Sequence, residues 1–137
     1  MILVDTDIWS ELVKSEPDRN VRNWEVENAE RLWLSTVVIG EFLSGVELMP
    51  EGRRKRGLQQ AYDQIIASYR DRIIGFDLEA SFRYAAVLAH QERSGRGPGT
   101  ADTQIAATAL TRGMALATRN VKHFAGLGLT LIDPWSP

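Results

Sequence analysis

Apolar positions in this chain come in short blocks, and the spacing inside each block changes from one to the next. The short apolar runs lie in "ILVD" (2–5), "LWLS" (32–35), "IIGF" (73–76), "MALAT" (114–118) and "LTLID" (129–133). Runs this short, rich in branched residues and bounded by polar or turn residues, predict buried strands. Between them the apolar positions spread to helical spacing. Leu58, Ala61, Tyr62, Ile65, Ile66 and Tyr69 form one stripe, and Ile105, Ala106, Ala109 and Leu110 another.

The boundaries follow from local chemistry. A helix is expected from Asp7 to about Ser15, where Pro17 breaks it. Residues 18–31 are polar and helix-compatible, with Val21 and Trp24 on one face. Thr36 is placed to cap a helix over Val37 to Met49 that stops at Pro50. A long helix is expected over 51–71. Asp77 caps another that runs to about Arg93, and "SGRGPG" (94–99) is a loop by composition. A last helix runs from Thr100 to about Thr111 and ends at Gly113. Strands alternating with helices predict an α/β fold: a central parallel sheet of four to five strands with helices on both faces. Ligands of such sheets sit beyond the carboxyl ends of the strands.

At 137 residues the chain is expected to be one domain, residues 1–137. No run is long and apolar enough to suggest a membrane span or a secretory leader. The absence of cysteine removes disulfides and thiolate metal sites, and agrees with a cytoplasmic setting. The net charge is only −2, so a nucleic-acid partner must be met by a local patch. Acidic residues concentrate before residue 52 and basic ones after it.

The candidate chemistry lies in carboxylates at element ends. Asp5 closes a buried strand, where an unpaired carboxylate is costly, so it either accepts hydrogen bonds from the next helix or belongs to a site. Asp7 reads as the N-cap of the helix it opens. Glu41 borders the apolar face made by Val38, Ile39, Phe42, Val46 and Met49. Its i+4 neighbour is Gly45, so it has no basic partner and open space above it. Asp102 lies on the buried stripe of its helix; the helix dipole explains an acid in the first turn but not its inward position. Three acids near one sheet edge repel unless a hard cation binds among them. Carboxylates without accompanying His or Cys suit Mg²⁺ or Mn²⁺, and such a cation supports attack of activated water on phosphate.

"ILVDTDIWSEL", "STVVIGEFLSG", "ADTQIAATAL" and "LATRNVKHFAGLGLTLIDPW", in this order, resemble the PIN-domain ribonucleases, in particular the VapC-like toxins and their FitB-like branch. The resemblance spans essentially the whole chain. It implies a PIN-like three-layer fold and a metal-dependent endoribonuclease, the toxin of a VapBC-type pair. It places Asp5, Glu41 and Asp102 at the metal and catalytic positions, with Mg²⁺ or Mn²⁺ as cofactor. The family's fourth acidic position falls at Asn120, and His123 stands where some members keep a further acid. Thr6 and Thr118 are expected to steady the shell. Arg96, Arg119 and Lys122 are candidates for an RNA-holding rim. The family also implies a cognate VapB-like antitoxin whose groove includes Ile8, Leu12, Phe42 and Leu43, and a homodimer that assembles as a heterotetramer or larger.

Other residues have plainer readings. "RRKR" (53–56) reads as a solvated helix face, and His90 as a packing or surface residue. Trp9 and Trp33 are expected in the core or an interface, Trp24 and Trp135 half-exposed. Two rival functions remain open. "DTD" after a strand is the Asp-x-Asp spacing of haloacid-dehalogenase-like phosphatases, although Trp9 and the missing downstream lysine depart from that pattern. The other rival is a non-catalytic RNA- or partner-binding module, suggested by Asn120 and His123.

Overall fold

The computed structural model describes residues 1–95 and 99–136. The chain runs β1 (Ile2–Val4), α1 (Thr6–Leu12), α2 (Arg19–Asn28), β2 (Leu32–Ser35), α3 (Thr36–Glu47), α4 (Arg53–Ser68), β3 (Ile73–Ile74), α5 (Leu78–Arg93), α6 (Thr100–Arg112), β4 (Ala115–Ala117) and β5 (Leu131–Ile132). All five strands are parallel, in the order β3-β2-β1-β4-β5. β1 is therefore the central strand of the sheet. Ile2 to Val4 pair with Ala115 to Ala117 on one side, and Ile2 and Leu3 with Leu32 and Trp33 on the other.

A strand covered on both faces cannot alternate polar and apolar residues, which accounts for the unbroken "ILV" and "LWL" runs. Leu3, Val4, Leu32, Leu34 and Leu116 are all inaccessible to solvent. Ile8, Val21, Val38, Val46, Ile105, Ala106 and Ala109 close over them from the helices. Phe42 stacks on Tyr62 with ring centres 4.1 Å apart, which fastens α3 to α4.

Several expected boundaries shift, for identifiable reasons. The cap of α3 is Ser35, whose hydroxyl accepts from Val37 N–H; Thr36 is already helical. The first helix ends at Leu12, because Glu11 turns its carboxylate onto Lys14 and Asp18 N–H and anchors the loop that follows. The third strand stops at Ile74, since its partner strand ends at Ser35. Asp77 caps α5 as expected and is also paired with Arg112 of α6. Trp24 is buried rather than half-exposed, while Trp33 is only half-buried.

Candidate active site at the carboxyl edge of the sheet

Asp5 stands where β1 passes into α1. Its N–H donates to Ala117 C=O, and its side chain is almost wholly buried. Both carboxylate oxygens are occupied. Oδ1 accepts from Thr6 N–H at 2.8 Å, which makes Asp5 the cap of α1; Oδ2 accepts from the Thr118 hydroxyl at 2.8 Å. Thr118 Oγ1 in turn accepts from Asn120 N–H at 3.1 Å. Asp5 thus serves as a helix cap and as a site residue at once. Burial pushes its carboxyl above the ordinary aspartate value, against the lowering effect of the Thr118 and Thr6 bonds.

Glu41 reaches the same place from α3. Its Oε1 accepts from the Thr6 hydroxyl at 2.6 Å. A Cβ built at Gly45, one turn further along α3, would meet nothing within 4 Å. Asp102 comes from the first turn of α6. Burial, then the charges of Asp5 and Glu41, push its carboxyl up to about 6, and His123 opposes them. His123 Nδ1 lies 3.7 Å from Asp102 Oδ2. The three acids expected from the sequence are therefore close enough to sense each other's charge, and Thr6 and Thr118 hold two of them as the expected supporting hydroxyls.

Asp7, expected as the N-cap of α1 at the edge of the pocket, has a different role. It does not cap α1. Its Oδ2 accepts from Arg119 N–H at 3.1 Å and faces Asn120 Nδ2 at 3.4 Å, across the gap to the loop after β4. Its Oδ1 is buried and has no hydrogen-bond partner among the described residues. Burial first, then the charge of Asp5, push its carboxyl up to about 6. The signal that pointed to it was the Asp-x-Asp spacing itself, which places the second acid in the first helical turn beside the strand end. Asn120 precedes a single 3-10 turn over Val121–Phe124 but makes no side-chain cap; its amide is spent on Asp7.

The carboxylates here offer oxygen donors, the kind preferred by Mg²⁺ and Mn²⁺. Crowded like charges and the unpartnered buried oxygen of Asp7 fit a cation by their chemistry. Among the described residues no three His or carboxylate side chains already converge as a finished coordination sphere. What stands here is a cluster of acids whose charges act on one another.

Of the rim candidates, Arg119 and Lys122 are exposed. The Arg119 guanidinium lies over the Trp135 ring, 4.7 Å from its centre. Arg96 falls outside the described residues. Of the groove residues, Ile8 and Phe42 are core and unavailable to a partner; Leu12 and Leu43 are half-buried. The open surface lies instead along α1, α2 and α4. Two clefts of about 730 and about 580 Å³ there share Val13 and Ala61. Arg53 and Arg54 border the larger one, while Lys55 bonds to Glu51. His90 is exposed on α5.

Comparison with known proteins gives a consistent picture. The profile described as PIN domain matches residues 2–127. The chain is 40% identical to "VapC ribonuclease Y4jK" of Sinorhizobium fredii, covering 100% of this chain and 99% of that protein. It is 31% identical to "Toxin FitB" of Neisseria gonorrhoeae, covering 98% and 99%. Among solved structures, a chain of FitAcB from Neisseria gonorrhoeae superposes with a TM-score of 0.91 at 30% identity, with both chains fully covered.

Proposed function

The chain belongs to the PIN-domain family, and from that premise we propose that it is a metal-dependent endoribonuclease, the toxin of a VapBC-type toxin–antitoxin pair. The observation that carries this reading is the gathering of Asp5, Glu41 and Asp102 from β1, α3 and α6 at one sheet edge, with mutually coupled charges. Family membership removes the ground for the phosphatase alternative. The residues 1–137 are read as one PIN domain.

Asp5 and Asp102 are the residues to hold the ion, with Glu41 completing the shell or accepting a proton. When bound, Mg²⁺ or Mn²⁺ supplies an activated water and offsets the charge of the phosphodiester. Thr118 and Thr6 keep the Asp5 and Glu41 carboxylates aimed, each by one hydroxyl donated to the acid. Asn120 offers a carbonyl at the mouth. Single-stranded or loop RNA is the proposed substrate, with its backbone met by Arg119, Lys122 and Arg96 and its bases stacked on exposed rings.

The proposed partner is a VapB-like antitoxin seated in the cleft bordered by Trp9, Leu12, Val13 and Ile65, whose end covers the acidic pocket. A homodimer that binds antitoxin as a heterotetramer or larger is proposed from the family. Among the described residues no helix is long and apolar enough to cross a membrane.

The test is cleavage of an RNA pool by purified protein with Mn²⁺. Wild type is expected to cut, and Asp5→Asn to lose at least about 100-fold of the rate, on the scale of losing one charge-stabilising group. Equal inertness of the two, with both folded, overturns the catalytic reading in favour of a non-catalytic module.

A further inference from the structure

We infer that Asp7 is a fourth carboxylate of the cation centre, its outer oxygen clamped by the loop after β4 so that its inner oxygen is left for the ion. The inference rests on reading the pocket as a divalent-cation centre.

The two oxygens of Asp7 have different surroundings. Oδ2 is held by Arg119 N–H and faces the Asn120 amide, both from a segment more than a hundred residues away. Oδ1 is buried without a partner among the described residues. A carboxylate oxygen in that state is costly unless something outside the chain satisfies it. The charges of Asp5 and Asp102 act on the Asp7 carboxyl, and the Ile8 N–H is also near it. A buried carboxylate oxygen without a hydrogen-bond partner, its twin tied down, is a donor a cation can use.

The clamp also explains Asn120. Its Nδ2 faces Asp7, so its carbonyl oxygen is the free end of the amide. The pair then contributes one charge, on α1, and one neutral oxygen, on the loop.

Asp7→Asn separates this from a tethering role. Asparagine keeps an oxygen to accept from Arg119 N–H, and loses only the charge and the ligand. Mn²⁺ binding by titration calorimetry on metal-free protein is the readout, with melting temperature measured alongside. Asp102→Asn serves as a site control. Glu92→Gln, an exposed acid on α5, controls for net charge. The expected result is at least a tenfold weaker Mn²⁺ affinity for Asp7→Asn, wild-type affinity for Glu92→Gln, and a metal-free Asp7→Asn that melts no lower than wild type. Affinity within twofold of wild type, while Asp102→Asn loses binding, overturns the role of Asp7 and leaves the cation centre standing. A metal-free Asp7→Asn that melts several degrees below wild type makes Asp7 a structural tether and overturns the inference as well. Wild type that binds no Mn²⁺ overturns the cation reading, and this inference with it.

Discussion

Asp7 and Asp102 both carry carboxyl groups raised to about 6 in the folded protein, against 3.8 for an ordinary aspartate. The sign of the effect on stability follows directly. Between about pH 4 and pH 6 the unfolded chain has given up these protons while the folded chain still holds them. Folding stability of metal-free protein therefore falls as pH rises through that window, and levels off above it. Urea unfolding at a series of pH values, with chelator present, is expected to show this decline, and Asp102→Asn to flatten part of it. Thr118 has the opposite character. It is inaccessible to solvent and bridges Asp5 Oδ2 and Asn120 N–H. Thr118→Val preserves shape but leaves both groups short of a partner, at an expected cost of about 2 kcal/mol in urea unfolding. Site residues here differ in kind: acids that strain the fold, and hydroxyls that hold it.

At the scale of elements, what could be read from the chain is what local chemistry decides. Parallel strands buried on both faces leave unbroken apolar runs, so β1 and β2 were legible, and a helix that buries one stripe leaves its period, as α6 does. Asp5, Glu41 and Asp102 each stand out as an acid where the local pattern asks for an apolar residue or a basic partner, but it is the family resemblance that groups them as one candidate site. Asp7 does not stand out, because a first-turn aspartate is ordinary and its partners, Arg119 and Asn120, arrive only when β4 docks beside β1. The cap of α3 was misplaced by one residue because Ser35 and Thr36 are both good caps, and only the end of β2 selects between them. Ser35→Ala is expected to lower stability by about 1 kcal/mol, read from the urea midpoint. Because α3 carries Glu41, the same change is expected to loosen the Thr6–Glu41 bond.

Across the whole molecule, the surface divides by purpose. The acidic pocket opens at one sheet edge and the clefts run along α1, α2 and α4. On α5, Leu78 and Phe82 are 71% and 68% exposed, one helical turn apart. Their side chains bury little within the chain, so Leu78→Ser with Phe82→Ser is expected to change folding stability by no more than about 0.5 kcal/mol each. If the proposed homodimer uses this face, the same pair of changes lowers the apparent mass in light scattering over a concentration series.

The position of β1 in the middle of the sheet also sets a schedule for the growing chain. Asp5 is made more than a hundred residues before its hydroxyl donor Thr118 and the Ala117 carbonyl that accepts its N–H. Until β4 has left the ribosome, one side of the central strand is bare. A polypeptide that stops short of Thr118 therefore carries Asp5 without the hydroxyl that holds it, and the surroundings of Asp5 are complete only after β4 is made.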